Sequence, residues 1–257
     1  MAKKELTMTN YNPFSLEGKT ILVTGASSGI GQATAIECSR LGARLVITGR
    51  NVERLQQTFE LLEGKEHLQI TADLSSSDGV KELIDKLPNL DGCVNNAGYN
   101  IMQLVPFIKD EDMRGIFEVN TFAPLMLTHL LAKKKKINKG GSIVFTSSIA
   151  GRGVTSPANS LYAATKAAVS AFARIAAVDL AGKKIRCNSV APGMIETPLK
   201  AAKNITDEQW AANMELYPLK RFGDPKDVAW AIIYLLSDAS CWVTGSEIVV
   251  DGGRSLK

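Results

Sequence analysis

Short apolar runs rich in β-branched residues recur along the chain, each followed by a stretch whose apolar positions have helical spacing. Thr20-Ile21-Leu22-Val23 predicts a strand and Ala33 to Leu41 a helix; Leu45-Val46-Ile47 is the next strand and Arg54 to Leu62 the next helix. His67 to Thr71 and Gly92-Cys93-Val94 predict two more strands. A long helix follows over Asp110 to about Ala132, bent at Pro124 because proline withdraws one N–H from the ladder. Ser142-Ile143-Val144-Phe145-Thr146 and Ile185 to Val190 flank a helix that carries Tyr162, and Glu247-Ile248-Val249-Val250 closes the series. Strands this short and this apolar are buried on both faces, which a parallel sheet between two helical layers provides. No internal repeat and no Pro/Gly/Ser linker divides the pattern. The expected architecture is α/β, a doubly wound parallel sheet in a single domain over residues 16–257, behind a flexible tail over residues 1–15.

Composition fits that reading. The chain has 257 residues, and a hydrophobic fraction of 45% with only 6% aromatics suits aliphatic strands rather than disorder. A net charge of +4 is too weak and too dispersed to imply nucleic acid. The densest positive run, Lys133 to Lys136 with Lys139, follows the apolar residues Leu130 and Leu131. It reads as a solvated helix end complementing the helix dipole, with an anionic partner as the alternative. Cys38, Cys93, Cys187 and Cys241 lie far apart with no CxxC pair, which argues against a disulfide framework or a zinc site. The N-terminus is polar, with Lys3, Lys4 and Glu5, and no stretch approaches the ~20 apolar residues that span a bilayer. A cytoplasmic protein with no membrane association is expected.

The candidate chemistry begins directly after the first strand. Thr24-Gly25-Ala26-Ser27-Ser28-Gly29-Ile30-Gly31 is a glycine turn leading into a helix, the arrangement in which backbone N–H groups receive a pyrophosphate. It makes the fold Rossmann-type. No lysine follows Gly31, so the turn is not a P-loop. Gly25 to Gly29 also matches the G-x-S-x-G nucleophile elbow, but that chemistry needs a histidine, and the chain has only His67 and His129. The second strand ends Thr48-Gly49-Arg50; an arginine there favours a ribose 2′-phosphate, hence NADPH over NADH. The bland alternative is an exposed helix-start arginine. Asp73, followed by Leu74, either accepts a hydrogen bond from the adenine amine or caps the next helix. Further along, Tyr162 and Lys166 stand four apart on one helical face. A neighbouring ammonium favours phenolate, so a tyrosine that ordinarily titrates near pH ~10 becomes a usable acid near neutrality.

Together these motifs resemble the short-chain dehydrogenase/reductase family from about Leu16 to Gly253. Thr24 to Gly31, Asn95-Asn96-Ala97-Gly98, Asn120, Ser147-Ser148, Tyr162 with Lys166, and Asn188-Ser189-Val190-Ala191-Pro192-Gly193 appear in family order. The resemblance implies Tyr162 as general acid/base, Ser148 as hydrogen-bond donor to the substrate carbonyl with Ser147 its neighbouring candidate, and Lys166 as the group that lowers the phenol pKa and binds the nicotinamide ribose. It implies that Asn120 holds a relay water, that Asn96, Ala97 and Gly98 shape the cofactor groove with Val119 near the ribose, and that Pro192, Gly193, Ile195 and Thr197 face the carboxamide and diphosphate. The segment from Leu199 to Leu219 is expected to cover the substrate, and the Tyr162 helix to pack against a second subunit in a dimer or tetramer. The layout is similar to bacterial 3-oxoacyl-acyl-carrier-protein reductases, which would make a 3-oxoacyl thioester the substrate and acyl carrier protein a partner. A dehydrogenase of a sugar, polyol or other small alcohol is the alternative, and a nucleotide-binding redox sensor without turnover the alternative of another class.

Overall fold

The computed structural model describes residues 11–196 and 206–256. Seven parallel strands form one sheet in the order β3-β2-β1-β4-β5-β6-β7: β1 (Thr20–Thr24), β2 (Arg44–Gly49), β3 (Leu68–Thr71), β4 (Leu90–Asn95), β5 (Ile137–Thr146), β6 (Arg186–Pro192) and β7 (Glu247–Val250). Every strand alternation falls on two apolar layers. Leu22, Val46, Cys93, Ile143 and Phe145 face α3 (Ser77–Lys86), α5 (Ala123–Lys133) and α6 (Ser160–Asp179). Ile21, Val23, Leu45, Ile47, Val94 and Val144 face α1 (Gly29–Arg40), α2 (Val52–Glu60) and α8 (Pro225–Leu236). Adjacent residues thus serve opposite cores, which is why the strands read as continuous apolar runs. The strand order reverses between β1 and β4, and a crevice opens beyond the carboxyl ends of these two strands, where doubly wound sheets bind ligands.

Three expectations need correcting. The long helix is not one regular α-helix. It consists of α4 (Asp110–Phe117), a π-helical turn at Glu118–Phe122 and α5, with Pro124 the second residue of α5, directly after that turn. Asp73 does not cap α3; Ser76 does, accepting from Gly79 N at 3.1 Å. Finally, α6 has the length and hydropathy of a membrane span. Its apolar residues Leu161, Val169, Ala173, Ala176 and Ala177 are buried within this fold.

Helix α8 escaped the sequence reading, although Asp224-Pro225 with Asp227 is a proline-started capping box. Of the expected tail, residues 1–10 lie outside the described residues. Beyond them, the Pro13 carbonyl accepts from Ala239 N at 3.0 Å and Phe14 meets the Tyr234 ring at 6.3 Å.

Candidate active site

The crevice is a cleft of about 770 Å³. At one end the β1–α1 turn is built for close approach. A Cβ on Gly25 would fall 2.8 Å from Ala97 Cα, and one on Gly31 2.2 Å from the Gly25 carbonyl, so neither position accepts a side chain. Gly25 and Gly29 have φ of 66° and 56°, which favours glycine. Helix α1 begins without a side-chain cap at Ser28, and Gln32 is the first residue whose N–H bonds back, to the Ser28 carbonyl at 3.2 Å. The N–H groups of the first turn are therefore open towards the cleft, the donor set a diphosphate requires.

Thr24 and Asn96 lock this turn to β4 and β5. The Thr24 hydroxyl accepts from Asn96 N and Ala97 N at 2.9 and 3.0 Å, and Asn96 Nδ2 donates to the Thr24 carbonyl at 3.1 Å. Thr146 Oγ1 donates to Asn96 Oδ1 at 3.2 Å. Beyond β2, Arg50 and Arg54 both line the cleft, and neither guanidinium has a hydrogen-bond or ion-pair partner among the described residues. Asp73 accepts from Ser75 N at 3.0 Å; that bond, helped by the Arg50 charge, holds its carboxyl below the usual range.

At the other end, Tyr162 and Lys166 project from α6 into the cleft and Ser148 enters from the loop after β5. Burial pushes the Tyr162 phenol up, and a hydrogen-bonding interaction from Ser148 opposes the rise. Burial also lowers the Lys166 ammonium to about 8. Its Nζ donates to the Thr146 carbonyl at 2.7 Å and stands 5.7 Å from the centre of the Tyr162 ring. The expected lowering of the phenol pKa by the ammonium is thus absent here: desolvation dominates both groups. Ser147 is not the equivalent of Ser148, because its hydroxyl donates to the Glu247 carboxylate.

Asn120 does not touch the cleft. It sits in the π-helical turn, 1% exposed, with Oδ1 accepting from Tyr99 N at 2.9 Å and Nδ2 donating to the Tyr99 carbonyl at 2.8 Å and to Thr165 at 3.2 Å. That clamp on the loop after β4 accounts for an asparagine inside a helix. Gly98 beside it leaves no room for a side chain, since a Cβ would lie 2.9 Å from Asn120 Oδ1.

The other expected residues converge. Ser27, Ser28, Gly29, Ile30, Leu74, Ala97, Val119, Pro192, Gly193 and Ile195 all line the cleft, while Gly31 lies behind the turn it permits and Thr197 lies outside the described residues. So does most of the first half of the Leu199–Leu219 segment. Its second half contains α7 (Asp207–Glu215) and Tyr217, whose hydroxyl accepts from Met194 N at 2.9 Å. The sequence reading missed Arg54, Tyr99 and Thr146; only Arg54, four residues after Arg50, carried a signal. Neither histidine lines the cleft: His67 accepts from Leu45 N and pairs with the Glu63 carbonyl, and His129 is exposed. The hydrolase alternative therefore has no base. The Lys133–Lys139 run lies at the start of β5, whose ten residues place it about 30 Å from the cleft at their far end. Within it Lys134 pairs with Asp85 at 2.5 Å, and Lys136 donates to the Leu87 carbonyl at 2.6 Å.

Among known proteins, the profile of the enoyl-(acyl carrier protein) reductase family matches residues 25–255. The chain is 36% identical to the 3-oxoacyl-[acyl-carrier-protein] reductase FabG of Thermotoga maritima, covering 93% of this chain and 98% of that protein. It is 37% identical to the glucose 1-dehydrogenase of Gluconobacter oxydans, over 93% and 92%. A solved structure of a provisionally assigned 2-deoxy-d-gluconate 3-dehydrogenase from Agrobacterium tumefaciens, with bound NADP, superposes with a TM-score of 0.87 at 30% identity, covering 96% and 100%. With its cleft at the β1/β4 switch point and these relatives along nearly its whole length, the chain belongs to the short-chain dehydrogenase/reductase family and is an NAD(P)-dependent oxidoreductase.

Proposed function

We propose that this enzyme reduces a carbonyl to an alcohol with NADPH, and that Tyr162 is the proton donor. The observation that carries the reading is the meeting of Ser148, Tyr162 and Lys166 in the same cleft as the uncapped start of α1. The cofactor fits the residues present. Open N–H groups of α1 would receive the diphosphate, and the two unpaired guanidiniums, Arg50 and Arg54, suit a ribose 2′-phosphate. When bound, a reduced nicotinamide supplies a hydride to the carbonyl carbon. Ser148 donates a hydrogen bond to the carbonyl oxygen and stabilises the charge that develops there. Tyr162 gives its proton to the same oxygen as the C=O π pair becomes an O–H bond. A phenol raised by burial holds that proton at neutral pH, as reduction requires. Lys166 stands beside the phenolate left behind until solvent reprotonates it, and Asn120 acts through Tyr99 by fixing the loop that closes the groove.

The leading substrate class is a 3-oxoacyl thioester. Met102, Leu104, Val105 and Phe107 expose an apolar edge on the loop that Gln103 N ties to the Ala158 carbonyl, just ahead of α6. An acyl chain suits that edge better than a polyol does. The likeness to sugar dehydrogenases supports a second reading, a sugar or polyol substrate. NADPH oxidation measured with an acetoacetyl thioester and with a panel of keto-sugars and small ketones separates them. Turnover on the thioester at least about tenfold above the others supports the first. Preference for a keto-sugar overturns it in favour of the second.

A further inference from the structure

A carboxylate outside the cleft joins the loop that carries Ser148 to the neighbouring strand β6. Glu247 opens β7, opposite Ser189 of β6 in register. Its side chain is 6% exposed. Ser147 donates to Glu247 Oε1, Ser189 donates to the same oxygen at 3.1 Å, and the Arg152 guanidinium donates to Oε2. Ser170 of α6 also helps to lower this carboxyl. Burial works to raise this carboxyl, and the four donors outweigh it, so the group is held ionised below its usual range.

The placement of the donors gives the carboxylate its meaning. Ser147 and Arg152 bracket Ser148 and the short helical turn Ile149–Arg152 that follows it. Ser170 lies one turn beyond Lys166 and two beyond Tyr162 on the same stripe of α6. The bracketed turn rests directly on the α6 backbone: a Cβ on Gly151 would fall 2.6 Å from Ala167 N. The spacing between Ser148 and Tyr162 is thus set by a loop that α6 supports from below and Glu247 fastens at both ends. Without the carboxylate, the buried hydroxyls of Ser147 and Ser189 lose their acceptor and the half-exposed Arg152 guanidinium loses its ion pair.

We propose that Glu247 is a positioning residue, whose carboxylate holds the Ser147–Arg152 loop so that Ser148 stays aligned with Tyr162. The proposal rests on the roles given above to Ser148 and Tyr162. Those roles describe which groups touch the carbonyl; Glu247 touches none of them and acts only through the loop.

The test is a double-mutant cycle on the full chain, with Glu247→Ala and Ser148→Ala alone and combined. The carbonyl substrate is the best one from the panel above. Glu247→Ala is expected to lower kcat about ten- to hundredfold, the scale of a misplaced reacting group, while the Kd for NADPH stays within about twofold. In the Ser148→Ala background the same substitution is expected to change kcat by less than about twofold, because the group it aligns is gone. Glu247→Gln keeps the shape and one acceptor oxygen for the two serines; a smaller loss that also vanishes with Ser148→Ala supports the clamp and covers the case in which the alanine variant does not fold. Equal fold-losses in both backgrounds, or a loss of NADPH affinity matching the loss of kcat, would make Glu247 a general support of the fold and overturn the proposal. Should Ser148→Ala by itself leave turnover unchanged, the assignment of Ser148 fails and the clamp falls with it.

Discussion

Replacing Lys166 with methionine should change how stability depends on pH, and the sign follows from where the proton sits. In the folded, nucleotide-free protein, burial lowers the ammonium from 10.5 to about 8. Below about pH 8 both folded and unfolded chains carry the proton, and burying the charge destabilises the fold by a constant amount. Between about 8 and 10.5 the folded chain has released the proton and the unfolded chain has kept it, so raising the pH favours folding. Above that window both are neutral and the penalty is gone. The shift from 10.5 to about 8, at roughly 1.4 kcal/mol per unit, sets the full change at about 3 kcal/mol. The assay is urea unfolding of both proteins without nucleotide at a series of pH values from 7 to 10.5, followed by circular dichroism. Wild-type stability minus that of Lys166→Met should rise across the window by about that amount. Losing the bond to the Thr146 carbonyl offsets the two curves without altering their divergence. Curves that stay parallel would mean that Lys166 is not desolvated, and would refute the argument.

Two further substitutions probe the nucleotide end. Arg50→Ala should weaken NADPH about tenfold or more relative to NADH, from the loss of a charge-assisted contact to phosphate, as read by fluorescence titration with each nucleotide; equal losses for the two would remove the basis for NADPH preference. Gly31→Ala should cost about 1–3 kcal/mol in urea unfolding and weaken both nucleotides, because the new methyl meets the Gly25 carbonyl at 2.2 Å. An alanine variant with wild-type stability and affinity would show that the turn yields.

The sequence made the sheet legible because every strand is buried on both faces, so runs such as Leu45-Val46-Ile47 and Ile143-Val144-Phe145 stand out without alternation. The glycine turn was legible for a related reason: the close approaches at Gly25 and Gly31 exclude every other residue. The π-helical turn in the long helix was not legible, because such a turn has no sequence signature of its own. Asn120 was located but its side-chain contacts were not. Its partner is the backbone of Tyr99, and backbone groups leave no mark in a sequence. Arg54 carried a signal in its spacing from Arg50 that was passed over, whereas Glu247 gains meaning only when the fold gathers its partners around it. The pKa directions at Tyr162 and Lys166 likewise depend on depth of burial, which the spacing of four residues does not encode.

The account stands on Tyr162 as the proton donor beside a bound nicotinamide, and Tyr162→Phe tests it most directly. The substitution deletes one oxygen and keeps the ring in its buried place. Turnover of NADPH with the best carbonyl substrate should fall by about a thousandfold, within the range of a lost general acid, while the Kd for NADPH stays within about twofold. Turnover within tenfold of wild type, or a fall in nucleotide affinity as large as the fall in turnover, would contradict it.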